Sequence, residues 1–180
     1  LGALLAIALG LVLQLISFES FGNDRMLFGA TAPLWQEHFR LVTASFLHGS
    51  LSHAFSNGAF GLLLGVVLFG THRFGATAFV WLASSAVGLT VEVLMSPGAN
   101  VIGASAGNYG LVGLWAMGQF QRAQTRWLVR REVMRTLGVL LLLLPGAITP
   151  FSANGTRIAV LAHVFGFLAG LFLGVYFRRR

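Results

Sequence analysis

Three short segments of this 180-residue sequence place serine, histidine and asparagine within otherwise apolar stretches. They read His48-Gly-Ser-Leu-Ser-His53-Ala-Phe-Ser-Asn57, Gly103-Ala-Ser105-Ala-Gly107-Asn108-Tyr109-Gly110 and Ala162-His163-Val-Phe-Gly166. A serine hydroxyl becomes a useful nucleophile when a neutral imidazole accepts its proton, and nearby N–H groups stabilise the oxyanion that forms. The residue types therefore indicate acyl-transfer chemistry.

Ser105 is the candidate nucleophile and His163 the candidate base. Ser105 stands where a helix is predicted to begin, so free backbone N–H groups and the helix dipole favour developing negative charge beside it. His53 and Asn57 are four residues apart and share a helix face, from which both could donate to an oxyanion. Tyr109 lies four residues after Ser105 and is a candidate to pack against the imidazole.

No aspartate or glutamate lies close to His163 in the sequence, which favours a dyad over a triad. Glu92 is an alternative third member, although a structural hydrogen bond near the outer interface is the preferred interpretation. A metal or haem site on His48, His53 and His163 is a further alternative. It is disfavoured because residues 48 and 53 do not share a helix face and no carboxylate accompanies them.

The composition indicates that these groups lie in a membrane. Hydrophobic residues make up 56% of the chain and charged residues 9%, with a mean hydropathy of +0.80, far from the composition of soluble domains. Cysteine is absent, which excludes disulfides and thiolate catalysis. We predict one all-α membrane domain over residues 1–180, with helices at Leu1–Ser17, His53–Phe69, Ala76–Met95, Ala104–Gln119, Thr136–Thr149 and Ile158–Phe177.

The net charge of +7 is carried by arginine alone, and its distribution predicts the topology. With a cytoplasmic N-terminus, nine arginines lie in cytoplasmic segments and three outside, as the positive-inside rule requires. The nine are Arg73, Arg122, Arg126, Arg130, Arg131, Arg135, Arg178, Arg179 and Arg180. Both termini are then cytoplasmic, and nucleic-acid binding is a poor interpretation of the charge.

The long segment from Phe18 to Leu51 mixes aromatic and charged residues, which predicts a first loop associated with the outer leaflet; an ordinary extracytoplasmic loop is the alternative. Small residues recur every four positions on two predicted helices. On the sixth helix they are Gly166, Gly170 and Gly174, beside His163, and near the fourth helix they are Gly103 and Gly107. Such patterns allow close backbone approach, which would bring the hydroxyl to the imidazole.

Taken in order, these motifs resemble the rhomboid family of intramembrane serine proteases. The resemblance extends from Trp35 to Gly174. Its elements are Phe39-Arg40, Thr43, Phe46-Leu47-His48, His53 with Asn57, Gly103-Ala104-Ser105 with Tyr109, and Ala162-His163 followed by Gly166 and Gly170.

The resemblance implies a six-helix bundle with a water-filled cavity open to the outer face. It implies Ser105 as nucleophile, His163 as base, and an oxyanion hole made by His53, Asn57 and the Ser105 N–H. Tyr109 would stack on His163, and the supporting glycines would be Gly103 and Gly166. It further implies transmembrane protein substrates, no metal or cofactor and, by analogy with small family members, a bacterial inner membrane.

Two positions depart from the family pattern. Ala106 stands where glycine is usual, which affects the expected shape of the oxyanion loop, and Phe39-Arg40 replaces a Trp-Arg pair in the first loop. The remaining alternative is a rhomboid-like pseudoprotease that binds transmembrane segments without cutting them. Such members typically lack the serine or the histidine, and this chain has both.

Overall fold

A computed structural model describes residues 29–143, except residues 32, 35, 97 and 124, and residues 159–177. Its helices are α1 (Arg40–Thr43), α2 (Leu51–Phe69), α3 (Phe74–Met95), α4 (Ser105–Phe120), α5 (Arg126–Leu143) and α6 (Val160–Gly174), with a 3-10 turn at Ala44–Phe46. This part of the chain contains no β-strand, and an isolated antiparallel bridge joins Ala30 to Val101. The predicted all-helical class is confirmed for it.

Four of the predicted helices coincide with α2, α3, α4 and α6 to within three residues at each end. The start of α2 has a local cause, because the Ser50 side chain accepts a hydrogen bond from the His53 N–H at 3.2 Å and so caps the helix. The first predicted helix, Leu1–Ser17, lies outside the described residues. The count of six spans therefore stays a prediction.

The predicted start of the fifth helix at Thr136 was wrong, since α5 begins ten residues earlier at Arg126. The Thr125 hydroxyl caps it by accepting from the Leu128 N–H at 3.2 Å. Arg131 and Arg135 both pair with Glu132 at 3.1 Å. Strong helix formers and the i,i+3 pair of Glu132 with Arg135 continue the helix through a charged segment that hydropathy alone assigns to a loop. Residues 144–149 of the prediction lie outside the described part.

The centre of the fold is a contact between α4 and α6, with α3 packed against both. A Cβ atom at Gly166 would overlap the Ala106 carbonyl, and one at Gly170 would overlap the Gly110 carbonyl. The predicted stripe on α6 is therefore an interface, as expected of small residues. The prediction for its partner was wrong: Ala106 and Gly110 meet α6, whereas Gly107 faces Trp81 of α3 and Gly103 precedes α4.

The distribution of polarity is the reverse of a soluble protein's. Large apolar side chains are exposed on the helix surfaces, while small and polar groups are buried between helices. The exposed apolar residues include Phe55, Leu63, Phe79, Leu94 and Phe172, and the buried polar residues include Ser84, Ser85, Glu92 and Asn108. Two helices, over Leu51–Leu68 and Phe74–Met95, are long and apolar enough to cross a membrane, and only 33% and 39% of these stretches is buried. Helices in the core of a soluble protein would be mostly covered.

The described part of the first loop is anchored by Arg40. Its Nη1 atom donates to the Gly29 carbonyl at 3.1 Å, and its Nε atom lies 2.8 Å from a Glu37 carboxylate oxygen. The Ser45 hydroxyl, in the following turn, is hydrogen-bonded to that of Ser85 on α3 at 2.6 Å. The Arg40 contacts hold parts of the loop together, and the Ser45–Ser85 bond fixes the loop to the bundle. The association of the loop with the outer leaflet stays a prediction.

Candidate active site

The Ser105 hydroxyl and the His163 imidazole are in hydrogen-bond contact. Ser105 is the first residue of α4, and its Oγ lies 2.8 Å from the Nε2 atom of His163 in the first turn of α6. Both side chains are half-buried. The bond joins residues 58 positions apart. Gly166 and Gly170 explain the proximity, because they let α4 and α6 touch through backbone atoms.

The Tyr109 ring stacks on the His163 imidazole. The two rings lie parallel, with 4.5 Å between centroids and 10° between planes. Since Tyr109 is one helical turn after Ser105, α4 supplies both the hydroxyl and the platform that holds its partner. The sequence predicted this pairing.

Among the described residues, no carboxylate contacts His163. Its Nδ1 atom is buried and has no hydrogen-bond partner within the described residues. Glu92 instead accepts from the Ser96 hydroxyl and from the Ala162 N–H, both at 3.1 Å. The second bond satisfies one of the free N–H groups at the start of α6, so Glu92 fixes that helix end. This is the structural role preferred from the sequence.

Potential oxyanion donors converge on Gly103. This glycine has a φ of +124°, a conformation that side chains rarely adopt, and its N–H donates to the Ala44 carbonyl at 2.8 Å. A Cβ atom there would lie 3.4 Å from His53 Nε2 and 3.7 Å from Asn57 Nδ2. The Asn57 Nδ2 group is buried and has no hydrogen-bond partner among the described residues. A side chain at position 103 would fill the space that these donors surround.

His48 packs against the His53 ring of this cluster. It is 1% exposed, and its ring meets the edge of the His53 ring at a centroid distance of 5.0 Å and an angle of 78°. Burial, together with the neighbouring His53, lowers the pKa of His48 to about 4, which keeps it neutral at pH 7. Within the described residues, no three histidine, aspartate or glutamate side chains are grouped as metal ligands.

Ala106, which stands where the family pattern has glycine, packs between helices. Its methyl group is 1% exposed and points at α3, where a Cβ atom on Gly88 would lie 3.0 Å away. Because residue 88 on α3 is a glycine, there is room between the helices for the methyl group of Ala106.

Two residues to which the sequence assigned no role lie behind the site. Asn108, 2% exposed, donates from Nδ2 to the Asn57 carbonyl at 2.9 Å and accepts from Trp81 Nε1 at 3.0 Å. The available signal was an amide in a membrane helix, which is costly unless it is paired. Sequence spacing does not identify the partners, because they lie 51 and 27 residues away.

These features define a class of protein: helical membrane proteins with a serine–histidine pair where two helices pack together. The chain belongs to the rhomboid family, since the sequence model of the Rhomboid domain matches residues 35–180. The family predicted from the ordered motifs is confirmed, and with it an integral membrane protein.

Curated relatives carry the same family name. The chain is 29% identical over 169 residues to Rhomboid-like protease 3 of Toxoplasma gondii, which covers 91% of this chain and 62% of that protein. It is 25% identical over 151 residues to Rhomboid-related protein 2 of Mus musculus (77% and 48%) and 27% identical over 143 residues to Rhomboid-related protein 1 of Caenorhabditis elegans (77% and 39%). The chain thus spans between 39% and 62% of the length of these relatives.

Proposed function

We propose that this chain is an intramembrane serine endopeptidase that cleaves transmembrane segments of protein substrates. The observation that carries the proposal is the 2.8 Å contact between Ser105 Oγ and His163 Nε2. The name of one relative, Rhomboid-like protease 3, agrees with a proteolytic activity.

In the proposed reaction, His163 Nε2 takes the hydroxyl proton as Ser105 Oγ attacks the carbonyl carbon of the scissile peptide bond. The resulting oxyanion is held by Asn57 Nδ2, the His53 ring and the Ser105 N–H. His163 returns the proton to the leaving amine as the C–N bond breaks, which leaves an acyl-enzyme on Ser105. Water, deprotonated by the same imidazole, then attacks the ester carbonyl. As the C–Oγ bond breaks, His163 returns this proton to Ser105 Oγ, which releases the second product as a carboxylic acid and restores the hydroxyl.

A non-cleaving, rhomboid-like protein that binds transmembrane helices is the second candidate. Such a protein needs neither a hydroxyl–imidazole contact nor a buried amide donor that, like Asn57 Nδ2, has no hydrogen-bond partner among the described residues. This chain has both features, and their presence favours the protease.

The test is cleavage of a panel of single-pass membrane substrates, combined with fluorophosphonate labelling of the purified chain. We expect turnover and label in the intact chain, and neither in Ser105→Ala or His163→Ala. Ser52→Ala, an exposed serine at the start of α2, is the matched control and should behave as the intact chain. Full turnover by Ser105→Ala would eliminate the mechanism.

For the location, we propose a bacterial inner membrane with both termini in the cytoplasm. The arginine bias supports the orientation, in which the Arg-rich beginning of α5 lies at the cytoplasmic surface. The choice of membrane rests on analogy with small members of the family.

A further inference from the structure

Asn108 joins three helices directly behind the candidate oxyanion donors. From α4 it donates to the Asn57 carbonyl on α2 and accepts from the Trp81 indole on α3. Its side chain is almost fully buried, and both ends of the amide are engaged. A buried amide with fixed partners in each direction has one orientation.

Two glycines make these contacts possible. A Cβ atom on Gly61 would lie 2.8 Å from Asn108 Oδ1, and one on Gly107 would lie 2.7 Å from Trp81 Nε1. Gly61 lets the amide approach the backbone of α2, and Gly107 lets the indole lie over the beginning of α4. The arrangement therefore involves matched positions on three helices.

The carbonyl that Asn108 holds belongs to the residue that would supply the oxyanion donor. Asn57 Nδ2 is unpartnered among the described residues and faces Gly103. Asn108 lies three residues after Ser105 on the same helix, so its bond ties the backbone of the donor residue to the helix that carries the nucleophile.

We propose that Asn108, oriented by Trp81, is a positioning residue that sets where Asn57 Nδ2 lies relative to Ser105 Oγ. This inference rests on the proposed function. A displacement of about 1 Å in a catalytic group can cost about 100-fold in rate, so loss of the bond should lower turnover while substrate binding is retained.

A double-mutant cycle between positions 108 and 57 tests the proposal, with kcat and KM measured on one transmembrane substrate. Asn108→Leu should lower kcat about 10- to 100-fold with little change in KM. In an Asn57→Ala background the same change should alter kcat by less than about 3-fold, because the donor that it aligns is gone. Equal effects in both backgrounds would show a general structural role and overturn the proposal.

Trp81→Phe provides a second, milder variant in case Asn108→Leu does not fold. It removes the indole donor to Asn108 and leaves a smaller ring against Phe46. The part of its loss of kcat that comes from the missing donor should likewise disappear in the Asn57→Ala background. An unchanged kcat in Trp81→Phe would refute the role of Trp81.

If the intact chain neither cleaves substrate nor labels at Ser105, the proposed function fails and the inference with it. Additive effects in an active enzyme refute the inference alone.

Discussion

The orientation of the His163 imidazole depends on an aromatic ring. In the described structure its Nδ1 atom has no acceptor, so the hydrogen bond that orients the base in a triad is missing. The parallel Tyr109 ring restricts its tilt, and the contact with Ser105 Oγ restricts its rotation. Both constraints come from α4.

At Asn57, replacement by alanine removes one amide donor from the candidate oxyanion hole. We expect Asn57→Ala to lower kcat by about 100- to 1000-fold, as loss of a single such donor typically does. The measurement is turnover of a transmembrane substrate alongside thermal unfolding in detergent. Ser56→Ala, the exposed neighbour, is the control and should keep full activity. An unfolded Asn57→Ala protein with normal activity per folded molecule would make the residue structural.

Protonation of His48 should destabilise the fold. Its pKa is about 4 in the folded chain and about 6.5 when unfolded, so the unfolded state takes up the proton first as pH falls. Stability from neutral His48 is complete above about pH 6.5 and is lost towards pH 4. Apparent melting temperatures across this range should fall, and less steeply in His48→Gln. The exposed His38→Gln is the control. Identical slopes in the intact and His48→Gln proteins would contradict the prediction.

Among the helices, the interface of α4 with α6 determines whether the site exists. Carbonyl groups of α4 face the glycines of α6 without intervening side chains. Any bulk at these positions must separate the helices and, with them, the serine from the histidine.

Gly166→Leu tests this dependence. We expect loss of substrate cleavage and a lower melting temperature, because the side chain would meet the Ala106 backbone. Gly138→Leu on α5 is the matched control, since no atom of the described residues lies within 4 Å of where its Cβ would be. An active, stable Gly166→Leu protein would show that the helices can separate without harm.

The ordered motifs predicted much of this arrangement. The Ser105–His163 contact, the Tyr109 stack and the gathering of His53 and Asn57 were expected because polar motifs that are weak singly occur together and in order on apolar helices. The partner stripe on α4 and the start of α5 were predicted wrongly. Helix phase is uncertain at a boundary, where Gly103 and Gly107 were expected to face α6, and hydropathy does not register helix capping by Thr125. The partners of Asn108 depend on tertiary packing alone.

Across the whole molecule, charge is separated along the helices. Arg73 follows α2, and the arginines of α5 lie at its beginning, so the proposed orientation assigns both to the cytoplasm. The site, at the beginning of α4 and of α6, would then lie towards the outer face.

Single cysteines can test this orientation, because the 180 residues contain none. Gly49 precedes α2 and Gly75 is the second residue of α3. Both glycines are exposed and have space for a side chain among the described residues, so each can be replaced by cysteine. In spheroplasts, a membrane-impermeant maleimide should label Gly49→Cys directly and Gly75→Cys only after permeabilisation. The reverse pattern would invert the topology.

The glycine contacts imply an unusual map of mutational tolerance. Because the spacing of two peptide backbones sets the separation of alcohol and imidazole, no rearrangement of side chains can compensate for added volume there. A saturation screen should find positions 166 and 170 nearly as intolerant as 105 and 163, although neither glycine has a functional group to offer a substrate.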